Sequence, residues 1–144
     1  MPSQRPYIPI HVRRQVEKDA HQRCGYCLTP RSFTAKQLHL EHIIPIAAGG
    51  GSEIDNLWLA CDLCNSCKGV RTYAVDPITK KTVSLFNPRQ QDWSHHFAWS
   101  DDGIRIVGLT PIGRATIQAL KLNNAFLVEA RKWWVEAGWH PPVD

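Results

Sequence analysis

The sequence contains no apolar run approaching the ~18 residues that a membrane-spanning helix requires. Its opening residues, Met1-Pro2-Ser3-Gln4-Arg5-Pro6, lack the apolar stretch of a secretory signal, so a cytoplasmic protein is expected. An even number of cysteines is also missing. Five thiols do not close a disulfide framework, and in a reducing compartment Cys-x-x-Cys pairs read as metal ligands. Nor is there a strong charge of one sign: the net charge of +4 is compatible with a polyanionic partner but does not indicate one. Internal repeats and low-complexity linkers are absent. What is present is a chain of 144 residues that is 43% hydrophobic, enough to bury a core and to exclude global disorder. A single domain over 1–144 is expected, with a core over 10–70 and a C-terminal extension over 71–144 packed on it.

Residues 1–9 hold three prolines and read as an extended arm. The spacing of Val12, Val16 and Ala20 predicts a helix from Ile10 to Arg23, with Arg13, Arg14, Lys18 and Arg23 on other faces. Those cations either solvate the helix or meet phosphate. Leu38-His39-Leu40 alternates and reads as a strand, and Pro45 and Gly49-Gly50-Gly51 open a loop after it. Asn56 to Ala60 reads as a second, antiparallel strand, and Asp62 to Lys68 as a short helix with Gly69 at its C′ position. Further on, Val83 to Phe86 reads as a strand. Phe97-Ala98-Trp99 and Ile104 to Val107 read as a hairpin turning at Asp101-Asp102-Gly103. Thr110-Pro111 caps a helix to about Lys121. Asn123 or Asn124 caps a last one, with Leu127, Ala130, Trp134 and Ala137 as its buried stripe and Gly138 as its stop. Trp133, Trp134 and Trp139 read as core residues rather than base-stacking platforms. The fold class is therefore α+β.

Cys24-Gly25-Tyr26-Cys27 places two thiolates on one tight turn, and Gly25 permits the backbone such a knuckle needs. A lone pair of this kind can equally be redox-active. A second pair, Cys61 and Cys64, completes four sulfurs for a closed, tetrahedral structural zinc site. Cys64 and Cys67 have the same spacing, so either can be the second pair. Cys61 and Cys64 are preferred because they stand where a strand gives way to a helix.

Between the pairs lie Glu41 and His42, then Asn56, with Asn65 following on the short helix. A neutral imidazole, with an ordinary pKa of about 6.5, can take a proton from water near neutral pH. A carboxylate and an amide carbonyl suit a hard divalent cation that shares its shell with phosphate and water. Asn56 can hydrogen-bond the backbone near His42, and Lys68 can meet a phosphate as a point charge. Arg71, which opens a basic stretch with Lys80, Lys81 and Arg89, is expected with Lys68 to bind the nucleic-acid phosphate. Singly, each has an unremarkable alternative as a strand end, a turn residue or an exposed amide. Together, bracketed by two cysteine pairs, they make a constellation.

This constellation over residues 24–69 resembles the zinc-binding HNH endonucleases, whose pattern runs Cys-x-x-Cys, acid-His, Asn-Leu, then Cys-x-x-Cys-Asn-x-x-Lys. The resemblance covers about a third of the chain. It implies a ββα-metal fold stapled by Cys24, Cys27, Cys61 and Cys64 around Zn²⁺, and Mg²⁺- or Mn²⁺-dependent cleavage or nicking of DNA, double-stranded DNA being the expected substrate. It implies His42 as general base, Asn56 as the residue that holds hairpin and base in place, Asn65 as a ligand of the catalytic cation, and Lys68 as the motif lysine. Glu41 takes the acidic ligand position, where many members have Asp. Asn87-Pro88-Arg89 and Trp93-Ser94-His95-His96-Phe97 look like the tail of a bacterial subgroup. His95 and His96 are expected to be structural or exposed. Two other functions fit fewer residues: a non-catalytic zinc-stabilised nucleic-acid-binding module, and a zinc-stabilised scaffold with the Trp-rich tail as an interface. The oligomeric state, monomer or homodimer, stays open.

Overall fold

The computed structural model of the chain describes residues 6–143; of the proline-bearing arm expected over residues 1–9, residues 1–5 lie outside the described residues. The architecture is α+β, with five α-helices and three two-stranded antiparallel sheets among the described residues. The chain divides into two compact units that meet in sequence at Val70–Arg71, where the expected core gives way to the expected C-terminal extension.

In the first unit, helix α1 spans Ile10–Asp19, and the Pro9 carbonyl accepts from the Val12 and Arg13 amides. The expected apolar stripe is present: Val16 and Ala20 are buried, and they join Leu38, Leu57 and Leu59 in one cluster on which Val12 packs. The helix stops short of Arg23 because His21 and Gln22 take positive φ of 54° and 57°. Two left-handed residues in succession end the helical ladder without glycine, and Arg23 instead bridges to Pro30. Strand β1 (His39–His42) pairs antiparallel with β2 (Leu57–Ala60), placing Glu41 opposite Trp58 and His42 opposite Leu57. Helix α2 (Asp62–Lys68) follows immediately, with Gly69 closing it at φ 56° as expected. Asn56 lies in a 3-10 turn before β2, not in the strand.

In the second unit, β3 (Tyr73–Val75) pairs with β4 (Thr82–Ser84). The intervening loop is organised by Asp76, whose carboxylate accepts from the Ile78 and Thr79 amides and the Thr79 hydroxyl. Its two oxygens also take Arg114 Nε and Nη2, both at 2.9 Å, and the guanidinium holds the carboxyl well below the usual carboxylate range. A short helix, α3 (Trp93–His96), leads into a hairpin of β5 (Phe97–Trp99) and β6 (Ile106–Gly108). Helix α4 (Pro111–Leu120) is capped by the Thr110 hydroxyl on the Gly113 amide, and α5 (Ala125–Glu136) by Asn124 on the Leu127 amide.

The stripe expected on α5 is displaced. Leu127, Val128 and Arg131 are its buried residues, while Ala137 is exposed. Arg131 is fully buried because its guanidinium satisfies the Leu122 carbonyl at 2.8 Å and the Ile104 carbonyl and Asn123 Oδ1 at 3.2 Å each. A helix face anchored by a cation reads as polar in sequence. The core assignment of the tryptophans is corrected with it: Trp133 and Trp139 are 64% and 63% exposed, and Trp134 is half-buried against His140. His95 is exposed, while His96 bonds the Thr110 hydroxyl and packs edge-on against Phe86.

Candidate functional site

The knuckle that carries Cys24 and Cys27 is pinned by its backbone. The Cys24 amide donates to Thr29, the Leu28 amide to Cys24, and the Gly25 amide crosses to Leu59 on β2. Cys61 and Cys64 stand at the junction of β2 and α2, where Cys61 Sγ caps the helix by accepting from the Cys64 amide. One ligand atom from each of the four cysteines lies within 4.8 Å of the others. The Cys27–Cys61 sulfur distance is 3.7 Å, and the edge of a tetrahedron of thiolates around zinc is about 3.8 Å for bonds of ~2.3 Å. Cys24, Cys27 and Cys64 are buried, so the thiols titrate unequally: burial pushes Cys24 up, while hydrogen bonds from Cys24 and then Cys61 and Cys64 pull Cys27 down. The geometry and the donor set fit zinc. The open choice of second pair is resolved, since the cluster contains Cys61 and Cys64 and not Cys67.

Beside this centre an open cleft of about 800 Å³ is lined by Arg13, His39, Glu41, His42, Ile46 and Asn65, among others. Strand β1 delivers Glu41 and His42 to it, and α2 delivers Asn65, one turn beyond Cys61. The hairpin and short helix thus bring three of the expected site residues to one cavity. Glu41 is only 3% exposed. Its Oε1 accepts from the Tyr26 hydroxyl at 2.9 Å and pairs with Lys68 Nζ at 2.9 Å. Its Oε2 is buried with no hydrogen-bond partner. Burial raises the Glu41 pKa, and the Lys68 charge and the two donated hydrogen bonds oppose that rise. His42 is half-buried, with Nε2 at 3.0 Å from Ser52 Oγ. Burial first, and then the Lys68 charge, hold its imidazole below the ordinary value, so it is neutral at neutral pH.

Asn56 works on the backbone. Its Oδ1 accepts from the Ile44 amide at 2.9 Å, and its Nδ2 donates to the Ile44 and Gly51 carbonyls at 3.0 and 2.8 Å. Its own carbonyl accepts from the Ile43 amide. These bonds close the loop directly after His42. Gly50 is required in that loop, because a Cβ there would lie 1.8 Å from the Ile44 carbonyl oxygen.

Lys68 is a correction. A phosphate contact needs an accessible ammonium, but Lys68 is 2% exposed and its Nζ is spent on Glu41, on the Ile43 carbonyl at 2.9 Å and on the His42 carbonyl at 3.4 Å. Arg71, the other expected phosphate ligand, is exposed in the second unit and donates to the Ala119 carbonyl. Sequence reasoning missed Tyr26 and Ser52. Tyr26 was hidden as the unassigned residue within a Cys-x-x-Cys pair, and Ser52 as one more polar loop residue. On the cleft rim, His39 also bonds the Asp62 carboxylate, which Lys36 approaches at 2.7 Å; Lys36 and then His39 hold that carboxyl below its ordinary value.

No curated protein and no solved structure matches the chain. One family model does: HNH endonuclease, over residues 24–71. The match begins at the first sulfur of the cysteine cluster and ends just past α2, so it encloses Glu41, His42, Asn56, Asn65 and Lys68 as well. Its family points to nuclease activity and hence to a nucleic-acid substrate. Residues 24–71 therefore carry an HNH endonuclease domain, with four cysteines placed to hold a zinc ion beside its cleft.

Proposed function

We propose that this chain is a metal-dependent endonuclease that hydrolyses phosphodiester bonds of double-stranded DNA, with His42 as general base. The observation that carries the reading is the convergence of His42, Glu41 and Asn65 on one cleft next to the cysteine cluster.

Burial keeps the His42 imidazole unprotonated near neutral pH, ready to take a proton from an attacking water. The Asn56 bonds hold the loop after His42 and so limit the directions in which the ring can face. The orphaned, buried Glu41 Oε2 is a hard anionic oxygen in need of a partner, and it fits a divalent cation; Asn65 offers a neutral carbonyl oxygen in the same cleft. When bound there, Mg²⁺ or Mn²⁺ supplies a Lewis acid for the phosphate and the leaving oxygen. Lys68 lies inside, where its charge opposes the rise that burial imposes on Glu41 and adds to the fall that burial imposes on His42.

The test is incubation of supercoiled plasmid with the protein and Mg²⁺ or Mn²⁺. Wild type is expected to nick or linearise it, and His42→Ala to cut at least about 100-fold more slowly. Equal cutting by the two proteins, or no cutting with either cation, overturns the proposal. Salt-sensitive binding without strand breaks would favour the non-catalytic module.

A further inference from the structure

Tyr26 stands between two cysteines of the metal cluster, yet it does not point its chemistry at them. It is fully buried, and its hydroxyl donates to Glu41 Oε1 at 2.9 Å. The same oxygen pairs with Lys68 Nζ at 2.9 Å. Two donors therefore converge on one oxygen of a buried carboxylate, while the other oxygen has no hydrogen-bond partner. The two donors orient the carboxylate through Oε1 and leave the buried Oε2 as the oxygen that a bound cation would satisfy.

Both donors ride on the segments that carry the sulfurs. Tyr26 lies inside the Cys24–Cys27 knuckle, whose backbone is tied to Thr29 and Leu59. Lys68 ends the helix whose first turn holds Cys64 and whose cap is Cys61. Closing the four-cysteine centre thus sets the position of both groups that orient Glu41.

We propose that Tyr26 is a positioning residue that couples the structural zinc centre to the affinity of the cleft for a divalent cation. This rests on the reading of Glu41 as a cation ligand given above. A hydrogen-bond partner one step behind a metal ligand typically contributes about 10–100-fold to metal affinity. Tyr26 belongs in that class because removing its hydroxyl takes away one of the two donors on Glu41 Oε1, leaving Lys68 in place, without altering a ligand or a sulfur.

The experiment measures Mn²⁺ binding to the full-length, zinc-loaded chain without DNA, by electron paramagnetic resonance of free Mn²⁺, with zinc content assayed in parallel. Tyr26→Phe is expected to keep its zinc and to bind Mn²⁺ about tenfold more weakly than wild type. Glu41→Gln is expected to lose Mn²⁺ binding. If wild type binds no Mn²⁺, or Glu41→Gln binds it as well as wild type, the cation-site reading itself falls and the coupling with it. If Glu41→Gln loses binding but Tyr26→Phe does not, only the role of Tyr26 is overturned. A second measurement does not depend on how well Tyr26→Phe folds. Coupling is reciprocal, so Mn²⁺ must make wild-type zinc harder to extract by a competing chelating dye, and must have no such effect in Glu41→Gln. Zinc retention in wild type that is indifferent to Mn²⁺ overturns the proposal.

Discussion

The two units hold themselves together by different means. The first has a cluster of buried apolar side chains (Val16, Ala20, Leu38, Leu57 and Leu59), a buried Glu41–Lys68 pair, and four cysteines placed to hold a zinc ion. The second has no such cluster of metal-ligating groups among the described residues. It relies on aromatic packing: Phe86 meets Phe97 edge-on at 5.1 Å, Trp93 lies between Phe97 and Trp99, and Arg131 sits 5.2 Å over Trp99. A unit of this size buries too little apolar surface to spare a staple unless its core is rich in large side chains. The first unit has the donors for such a staple, and the second has the large side chains. The lesson is that a unit cross-linked by an ion at these four sulfurs can keep polar and charged residues, Glu41, His42 and Asn65, on the cleft beside them.

Removing the metal should break the comparison most sharply. Structural zinc contributes on the order of 10 kcal/mol to small sites of this kind. A chelator, or Cys64→Ser, should abolish hydrogen-exchange protection of the Gly25 amide, which bonds Leu59, and leave that of the Phe86 amide, which bonds Thr116 Oγ1. Equal loss at both amides would show that the two units do not differ in this way. The reverse experiment is Phe97→Ala, which should cost the second unit about 3–5 kcal/mol in urea unfolding while zinc content stays at wild-type level.

Acid separates the units less strongly. Asp76 titrates well below an ordinary carboxylate because Arg114 holds it charged. A depressed folded pKa contributes stability that is fully present above the unfolded value of about 3.9 and is lost as pH falls below it. The second unit should therefore lose stability progressively as pH falls below about 4, and Asp76→Asn should be less stable at neutral pH and flatten that slope; an unchanged slope would remove Asp76 from the account. The smallest effect is expected at a helix end. Thr110→Ala deletes the cap on Gly113 and should cost about 1 kcal/mol in the same unfolding assay, without change in the Gly25 amide.

The legible parts of the chain were those whose physics is local. The β1–β2–α2 unit could be read because Pro45, the glycines and Gly69 punctuate it, and because a cysteine pair has one useful spacing. Thr110 and the Asn123-Asn124 pair announced α4 and α5 in the same way, and the structure gives the second cap to Asn124. The parts that resisted reading depend on partners far away in sequence. The end of α1 at Asp19 uses left-handed His21 and Gln22, which no residue type signals. Strand β3 is short, and its Tyr73 and Val75 are exposed, so no burial pattern marked it. Arg131 reads as a solvent residue until the Leu122 and Ile104 carbonyls are brought to it, and the exposed Trp133 and Trp139 read as core until that helix face is seen to be turned outward.

By itself, the sequence determined the inventory of donors: two cysteine pairs, an acid beside a histidine, and two asparagines at spacings that a hairpin and a short helix can bring together. Those are properties of side-chain chemistry and local backbone, and they need no knowledge of distant contacts. Only the tertiary structure decided how the inventory is deployed. It assigned Cys61 and Cys64, not Cys67, to the cluster, turned Lys68 inward on to Glu41, and placed the Tyr26 hydroxyl against the same carboxylate. Each of those outcomes depends on which groups share a low-dielectric interior. A linear chain cannot specify that until segments tens of residues apart are packed side by side.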